Sequence, residues 1–190
     1  MPQLTLVLLS LCLALGMTPT GQAQTAGAST YNIEVIVFRN TGAREAAGEL
    51  RGRLADANES DSAIENPQIG RLISTRPASR LQLAGVRERL AASGYRVLAH
   101  AGWTQTASTW GTRVGIPIDS LGIAVPGLSG FFLLERGSLL HFGMNLRYAV
   151  DAGAPHELNE LRRVRFNERH YYDHPGLGVI ALVTPGGENN

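Results

Sequence analysis

Apolar residues follow spacings that predict strands over much of the chain. Residues 31–39 (YNIEVIVFR) are rich in β-branched and aromatic side chains and predict a well-buried strand. Two apolar stretches separated only by Gly137-Ser138 predict a hairpin with a two-residue turn, with arms at residues 131–136 and 139–150. Further strands are predicted at residues 95–105, 112–118, 156–166 and 178–184.

In two of these strands the alternation assigns side chains to faces. The second hairpin arm is predicted to turn one face to the core, with Leu140, Phe142, Met144, Leu146, Tyr148 and Val150. Its other face is predicted to be open to water or ligand, with His141, Asn145 and Arg147. In residues 95–105 one face is predicted to hold Trp103, which makes it a core residue, together with Tyr95, Val97, Ala99 and Ala101.

One segment has strong helix signals. Residues 77–93 begin with Pro77, a residue favoured at the first helical position, and Gly94 follows as a stop. Three apolar residues of this segment fall on one helical face, namely Leu83, Val86 and Leu90. A helix over the whole segment is therefore predicted.

A second helical stripe, at residues 43–55, is built mostly from alanine and is interrupted by glycines, which predicts a weak helix. The polar residues 56–76 are predicted to be a long excursion between elements. Together the elements predict the α+β class, with a mainly antiparallel sheet of about six strands and one or two helices packed on one face.

The first part of the chain has the pattern of an export signal. Residues 4–16 form an uncharged apolar run of about 13 residues, shorter than the roughly 20 residues of a membrane span. Small residues then permit cleavage after Ala23 or after Ala28, so we expect a signal peptide and export to the periplasm. Because the terminal amine is the only positive charge before the run, an uncleaved membrane anchor is the alternative.

One domain is expected after the signal peptide. We divide the chain into signal peptide, short linker, α+β domain and flexible tail at residues 1–23, 24–30, 31–186 and 187–190. The only cysteine, Cys12, lies in the segment that would be removed. Thiol nucleophiles and cysteine-ligated zinc are therefore excluded for the exported protein.

Charges nearly cancel over the chain. All 17 basic side chains are arginine, and 16 acidic ones leave a net charge of +1. Since nucleic-acid binders have a clear basic excess, this balance argues against nucleic acid as a partner. Arginines are concentrated locally in residues 161–169, just before Tyr171 and Tyr172, and their planar forks suit carboxylates.

Four stretches form a recognisable combination: YNIEVIVFRN, SGYRVLAHAGWTQ, GFFLLERGSLLHFGMNLRY and LRRVRFNERHYYDHPGLGVIALVTP. The last is the most specific, with paired arginines, His-Tyr-x-Asp-His-Pro, and a glycine before an apolar strand that ends in Thr-Pro. With these motifs the chain resembles the CsiV family (cell-shape-integrity, peptidoglycan-binding) of exported proteobacterial proteins. Where the family tends to have Arg-Tyr-Leu-His, this chain has Gly137-Ser138-Leu139-Leu140-His141. The arginine and the tyrosine of that motif are therefore missing, and only its histidine is present.

The resemblance implies a periplasmic, non-catalytic protein that binds peptidoglycan without a cofactor and supports cell-wall assembly and cell shape. It implies peptidoglycan as partner, a cell-wall synthase or its periplasmic activator as a second partner, and no stable membrane insertion after processing. The candidate ligand-binding residues come from the family-like closing run: Arg163, Arg165, His170, Tyr172, Asp173 and His174. Outside that run, Trp110 is the candidate for an exposed aromatic platform that stacks on sugar rings.

Two other functions stay open. His170, Asp173 and His174 are ligand types of zinc amidases, so a metal-dependent peptidoglycan hydrolase is one alternative, with His100 or His141 as a further ligand. Against it, His170 and His174 on an extended strand would lie about 13 Å apart. No nucleophile motif or carboxylate pair indicates another enzyme. A membrane-anchored scaffold that contacts only proteins is the second alternative.

Overall fold

The elements of the fold are known for residues 29–39, 73–149 and 154–186, which the computed structural model describes. In chain order they are β1 (Thr30–Arg39), β2 (Ser74–Thr75), α1 (Ala84–Ala92), β3 (Arg96–Thr106), β4 (Ser108–Thr109), β5 (Gly115–Pro117), β6 (Leu128–Arg136), β7 (Leu140–Tyr148), β8 (His156–Arg163), β9 (Arg169–His174) and β10 (Leu177–Pro185). Short 3₁₀ turns lie at Ala78–Arg80 and Asp119–Leu121.

The first sheet is antiparallel, with the strand order β2-β3-β1-β10-β9. Strand β1 lies in its middle and is covered on both faces, which explains its nearly continuous apolar sequence. This strand and β10 confirm the strands predicted near both ends of the domain. The edge strand β9 was not predicted from the pattern.

The second sheet has the order β4-β6-β7-β8, with β5 paired to β6. Strands β6 and β7 form the predicted hairpin, but its turn is longer than predicted. Arg136 pairs with Leu140, so three residues form the loop, and the N–H of Gly137 donates to the carbonyl of Leu139 at 3.1 Å. The two-residue turn is therefore wrong by one residue.

The main core lies between the two sheets. The inward face of β7 is buried as predicted from Leu140 to Tyr148, whereas Val150 lies outside the described residues. Trp103 is fully buried, and its ring lies 5.5 Å from that of Phe132 in the second sheet, centre to centre. The prediction that Trp103 is a core residue is confirmed.

The predicted faces of β3 are wrong at one end because of a bulge. Val37 of β1 pairs with Ala99, but the next residue, Phe38, pairs with Val97, so Leu98 is an extra residue. The bulge reverses the alternation, since a one-residue shift moves every following side chain to the other face. Val97 therefore packs under α1 rather than beside Trp103.

Helix α1 begins later than predicted. Pro77 precedes a 3₁₀ turn, and the α-helix starts only at Ala84. The cause is Glu34 of β1, whose carboxylate accepts hydrogen bonds from the backbone N–H groups of Gln82 and Leu83, both at 2.7 Å. Its end is as predicted, because Gly94 follows with a φ of +85°.

The α+β class with mainly antiparallel pairing is confirmed, and among the described residues one α-helix packs on one face of a sheet. The described residues form ten strands in two sheets rather than one sheet of about six. The predicted signal peptide, the weak helix at 43–55 and most of the excursion at 56–76 lie outside the described residues. In the described ranges we find no helix with the length and apolar character needed to span a membrane.

Candidate functional site

The fold distributes the predicted ligand-binding residues over separate places. Strand β9 pairs with β10, and successive side chains of β9 point to opposite faces of the first sheet. Tyr172 points into the sandwich, on the same side as His170 and His174, whereas Asp173 points outward. Arg163 ends β8 and belongs to the outer face of the second sheet. The six residues therefore do not form one surface.

Tyr172 is fully buried between the sheets. Its hydroxyl donates to the carbonyl of Phe142 at 3.1 Å, and the guanidinium carbon of Arg162 lies 4.1 Å from its ring centre. Burial raises the pKa of the Tyr172 phenol above its ordinary value. Arg162 also donates to the carbonyl of Tyr171 and pairs with Glu160 at 3.2 Å. The prediction that Tyr172 belongs to an exposed surface is therefore corrected: its contacts join the two sheets.

Arg165 and His170 are linked through the turn between β8 and β9. The backbone N–H of Arg165 donates to Nε2 of His170 at 3.1 Å. The Arg165 side chain is exposed and lies 3.6 Å from a carboxylate oxygen of Glu168. An exposed pair of this kind contributes only about 0–1 kcal/mol. His170 therefore helps to fix the turn, and the guanidinium of Arg165 stays at the surface.

Asp173 and His174 have separate partners. Asp173 accepts a hydrogen bond from the hydroxyl of Tyr171 at 2.9 Å. Burial, followed by this bond, raises the pKa of Tyr171 to about 12. The ring of His174 lies 5.9 Å from that of His156, centre to centre, at the end of the sandwich. These two candidate residues are therefore not parts of one site.

The described structure separates the residues of the predicted alternative metal site. His170 and Asp173 point to opposite sides of β9. His100 is bound to Glu34 at 2.7 Å, and His141 lies on the outer face of the second sheet. Across the described ranges, no three His, Cys, Asp or Glu side chains are placed to hold a metal ion. The described structure therefore does not bring His170, Asp173 and His174 together as ligands of one ion.

A different group of residues meets on the outer face of the second sheet. Strand pairing places Glu135 of β6 opposite His141 of β7, and His141 opposite Arg163 of β8. The loop between β4 and β5 brings Trp110 and Arg113 to the same place. We call these five residues the Trp110 cluster.

Trp110 is held at the surface by contacts on several sides. Its side chain is 46% exposed, and its ring centre lies 4.1 Å from that of His141. The guanidinium carbon of Arg113 lies 5.2 Å from the centre of the Trp110 ring, a cation–π distance. Gly137 leaves room for the indole, since a Cβ at that position would lie 3.2 Å from Cβ of Trp110. Trp110 is therefore both exposed, as predicted, and fixed in orientation.

The buried carboxylate of Glu135 fixes the loop that presents Trp110. Glu135 has no exposed surface and accepts backbone hydrogen bonds from Gly111 at 3.2 Å and Arg113 at 2.5 Å. It also pairs with the side chain of Arg113 at 2.9 Å. Arg113 has a φ of +53°, a conformation rare for a residue with a side chain. These bonds stabilise the loop in this conformation.

The Trp110 cluster has groups that suit a sugar with an attached carboxylate. The exposed indole offers a flat apolar surface, and the guanidinium groups of Arg113 and Arg163 are at least partly exposed. Nδ1 of His141 is buried, and among the described residues it has no hydrogen-bond partner. The exposed groups of the cluster are therefore an aromatic surface and cations.

Sequence reasoning found Trp110 and Arg163 separately and missed Arg113 and Glu135. Arg113 follows Trp110 by three residues in a Gly- and Thr-rich stretch, which was the one available signal. Glu135 lies 22 positions further along than Arg113, and its role arises only from strand pairing. No local pattern indicates that it is a buried acceptor.

Comparison with known proteins gives a family match. The model of a family described as "Peptidoglycan-binding protein, CsiV" matches residues 4–186, nearly the whole chain. Searches of curated proteins and of solved structures gave no match.

Proposed function

Because the chain belongs to the CsiV family of peptidoglycan-binding proteins, we propose that it is an exported, non-catalytic protein that binds peptidoglycan in the periplasm. In this role it supports cell-wall assembly and cell shape, with a cell-wall synthase or its periplasmic activator as a second partner. The binding surface is the Trp110 cluster. The observation on which this assignment rests is the indole of Trp110, which is 46% exposed and in contact with His141 and Arg113.

The chemistry of peptidoglycan supports this surface. Its sugars have apolar faces that pack on an indole, and its peptides have carboxylates that accept hydrogen bonds from arginine forks. Trp110 supplies the first kind of contact, and Arg113 and Arg163 supply the second. Since the indole is already ordered before binding, little conformational entropy is lost when a sugar stacks on it.

Two buried carboxylates support a non-catalytic role. In the described part of the chain, Glu34 and Glu135 are the buried acidic residues. Each accepts at least two backbone N–H bonds, so each is engaged in holding a loop or a helix end. A general acid or base must instead lie within hydrogen-bond reach of the substrate.

Co-sedimentation with isolated sacculi tests the proposal, using protein recovered from the periplasmic fraction after expression of the full chain. We expect the parent protein to pellet with sacculi, with or without a chelator, and to release no muropeptides. Trp110→Ala should weaken binding at least tenfold. The matched control is Phe166→Ala, which removes an aromatic ring that is 42% exposed at another place.

Each other result has a clear meaning. Equal binding by Trp110→Ala and the parent would show that the Trp110 cluster is not the binding surface. Release of muropeptides would replace the binder with a hydrolase. If the parent protein stayed in the supernatant, wall binding would be excluded, and the protein-binding scaffold would become the leading function.

A further inference from the structure

The outer face of the second sheet continues from the Trp110 cluster to a second group of side chains. Strand pairing places Phe131 of β6 opposite Asn145 of β7, and Asn145 opposite Asn159 of β8. We call these three residues the amide row. His141 and Asn145 are four residues apart on β7, so the amide row lies about 13 Å from the Trp110 cluster.

The two amides of this row are free to bind a ligand. Asn145 is half-buried and Asn159 is exposed, and within the described ranges neither side chain has a hydrogen-bond partner. Each amide offers two N–H donors and one carbonyl acceptor. Phe131, half-buried, adds an aromatic ring in the same row. The row therefore pairs unused amide groups with an apolar neighbour.

The surface between the Trp110 cluster and the amide row is apolar and has no long side chain at its centre. Gly143 has no side chain, and Leu161 lies across it, since a Cβ at Gly143 would lie 2.8 Å from Cδ1 of Leu161. Gly143 is buried and Leu161 is half-buried. An extended ligand that contacts Trp110 can thus follow β7 as far as Asn145 without meeting a protruding side chain at Gly143 or Leu161.

Charge distinguishes the amide row from the Trp110 cluster. Phe131, Asn145 and Asn159 are neutral. On the far side, Arg147 and Glu157 lie opposite each other and pair at 3.6 Å, so their charges largely compensate. A neutral ligand with amide groups and apolar faces suits this row better than a carboxylate does.

We propose that the amide row is a second saccharide subsite, which binds the N-acetyl group of a sugar in the same glycan strand that packs on Trp110. Asn145 and Asn159 exchange hydrogen bonds with the N-acetyl amide, and Phe131 contacts its methyl group. This inference rests on the proposed function, because it takes the wall glycan as the ligand. It adds that the glycan strand lies along β7 and is recognised through its acetyl groups.

The test is the double variant Asn145→Ala/Asn159→Ala, made in the full chain and purified as the parent is. Isothermal titration calorimetry would measure the binding of soluble N-acetylglucosamine oligomers and of the same oligomers after deacetylation. We expect the parent to prefer the acetylated oligomers and the double variant to bind them at least tenfold more weakly. Asn32→Ala, which removes an amide from the outer face of the first sheet, is the control and should bind as the parent does.

Three results would overturn the subsite. They are equal affinity of parent and double variant, equal affinity of the parent for acetylated and deacetylated oligomers, and no binding of the oligomers by the parent. If sacculi still pellet the parent and not Trp110→Ala, such a result removes the subsite and leaves the proposed function standing. Failure of the parent to pellet with sacculi would remove both. Urea unfolding of each variant checks that the compared proteins are folded.

Discussion

Replacing Glu34 with glutamine should destabilise the protein through the start of α1. Glu34 is buried, and its carboxylate accepts three hydrogen bonds at 2.7 Å: from the N–H groups of Gln82 and Leu83 and from Nε2 of His100. A glutamine keeps the shape but turns one acceptor oxygen into an NH₂ group that faces donors. Hydrogen bonds to a charged group contribute about 1.5–3 kcal/mol each. Since at least one is lost, we expect the free energy of unfolding to fall by about 2–3 kcal/mol.

That loss is a large part of the roughly 5–15 kcal/mol that stabilises a typical domain. Urea unfolding followed by tryptophan fluorescence would measure it, because Trp103 is fully buried and reports on the core. Glu88→Gln, an exposed change within the same helix, is the control and should alter stability by less than about 0.5 kcal/mol. If Glu34→Gln unfolded within 0.5 kcal/mol of the parent, the carboxylate would not be what fixes the start of α1.

Two further predictions concern the contact between β8 and β9 and the end of the sandwich. Arg162→Lys should lower the free energy of unfolding by about 1–2 kcal/mol, because lysine cannot at once cover the Tyr172 ring and bond the Tyr171 carbonyl. Urea unfolding would compare this variant with Arg163→Lys, which changes the opposite face of β8. Equal effects of the two changes would contradict this reasoning. Burial, and after it the charges of His174 and Arg39, hold the pKa of His156 below its ordinary 6.5. The contribution of neutral His156 to stability is therefore complete above pH 6.5 and is lost as the pH falls toward the lowered pKa. His156→Gln should therefore lose less stability than the parent between pH 7.5 and pH 5.5, and parallel losses would exclude this role.

The parts of the fold that sequence predicted are those specified by local periodicity. The run in β1 and the alternation in β7 are both determined by which faces are buried, and both strands form as predicted. The errors occur where a distant residue decides the local structure. Glu34 binds the N–H groups before Ala84 and delays the start of α1, and the bulge at Leu98 depends on the pairing of β3 with β1.

The closing run shows the same limit for function. Its residue types suggested one binding surface, but residues that alternate along β9 point to opposite faces. Tyr172 is a candidate through its place in the family-like closing run, yet its neighbour in space is Arg162 of the other sheet. Composition indicates which chemistry is present in a segment, whereas strand pairing decides which side chains share a face.

The outer faces of the two sheets explain why binding is expected on the second. Helix α1 covers part of the first sheet, where Ile36, Phe38 and Leu182 form a small apolar cluster beneath it. In β7 the alternation predicted an open face with His141 and Asn145, and no helix of the described ranges packs there. Trp110 comes from a separate loop and Arg163 from β8, so neither could be assigned to that face before the strand register was known. A sheet face that, within the described ranges, presents an exposed indole at one end and two unbonded amides at the other has the groups that an N-acetylated glycan needs.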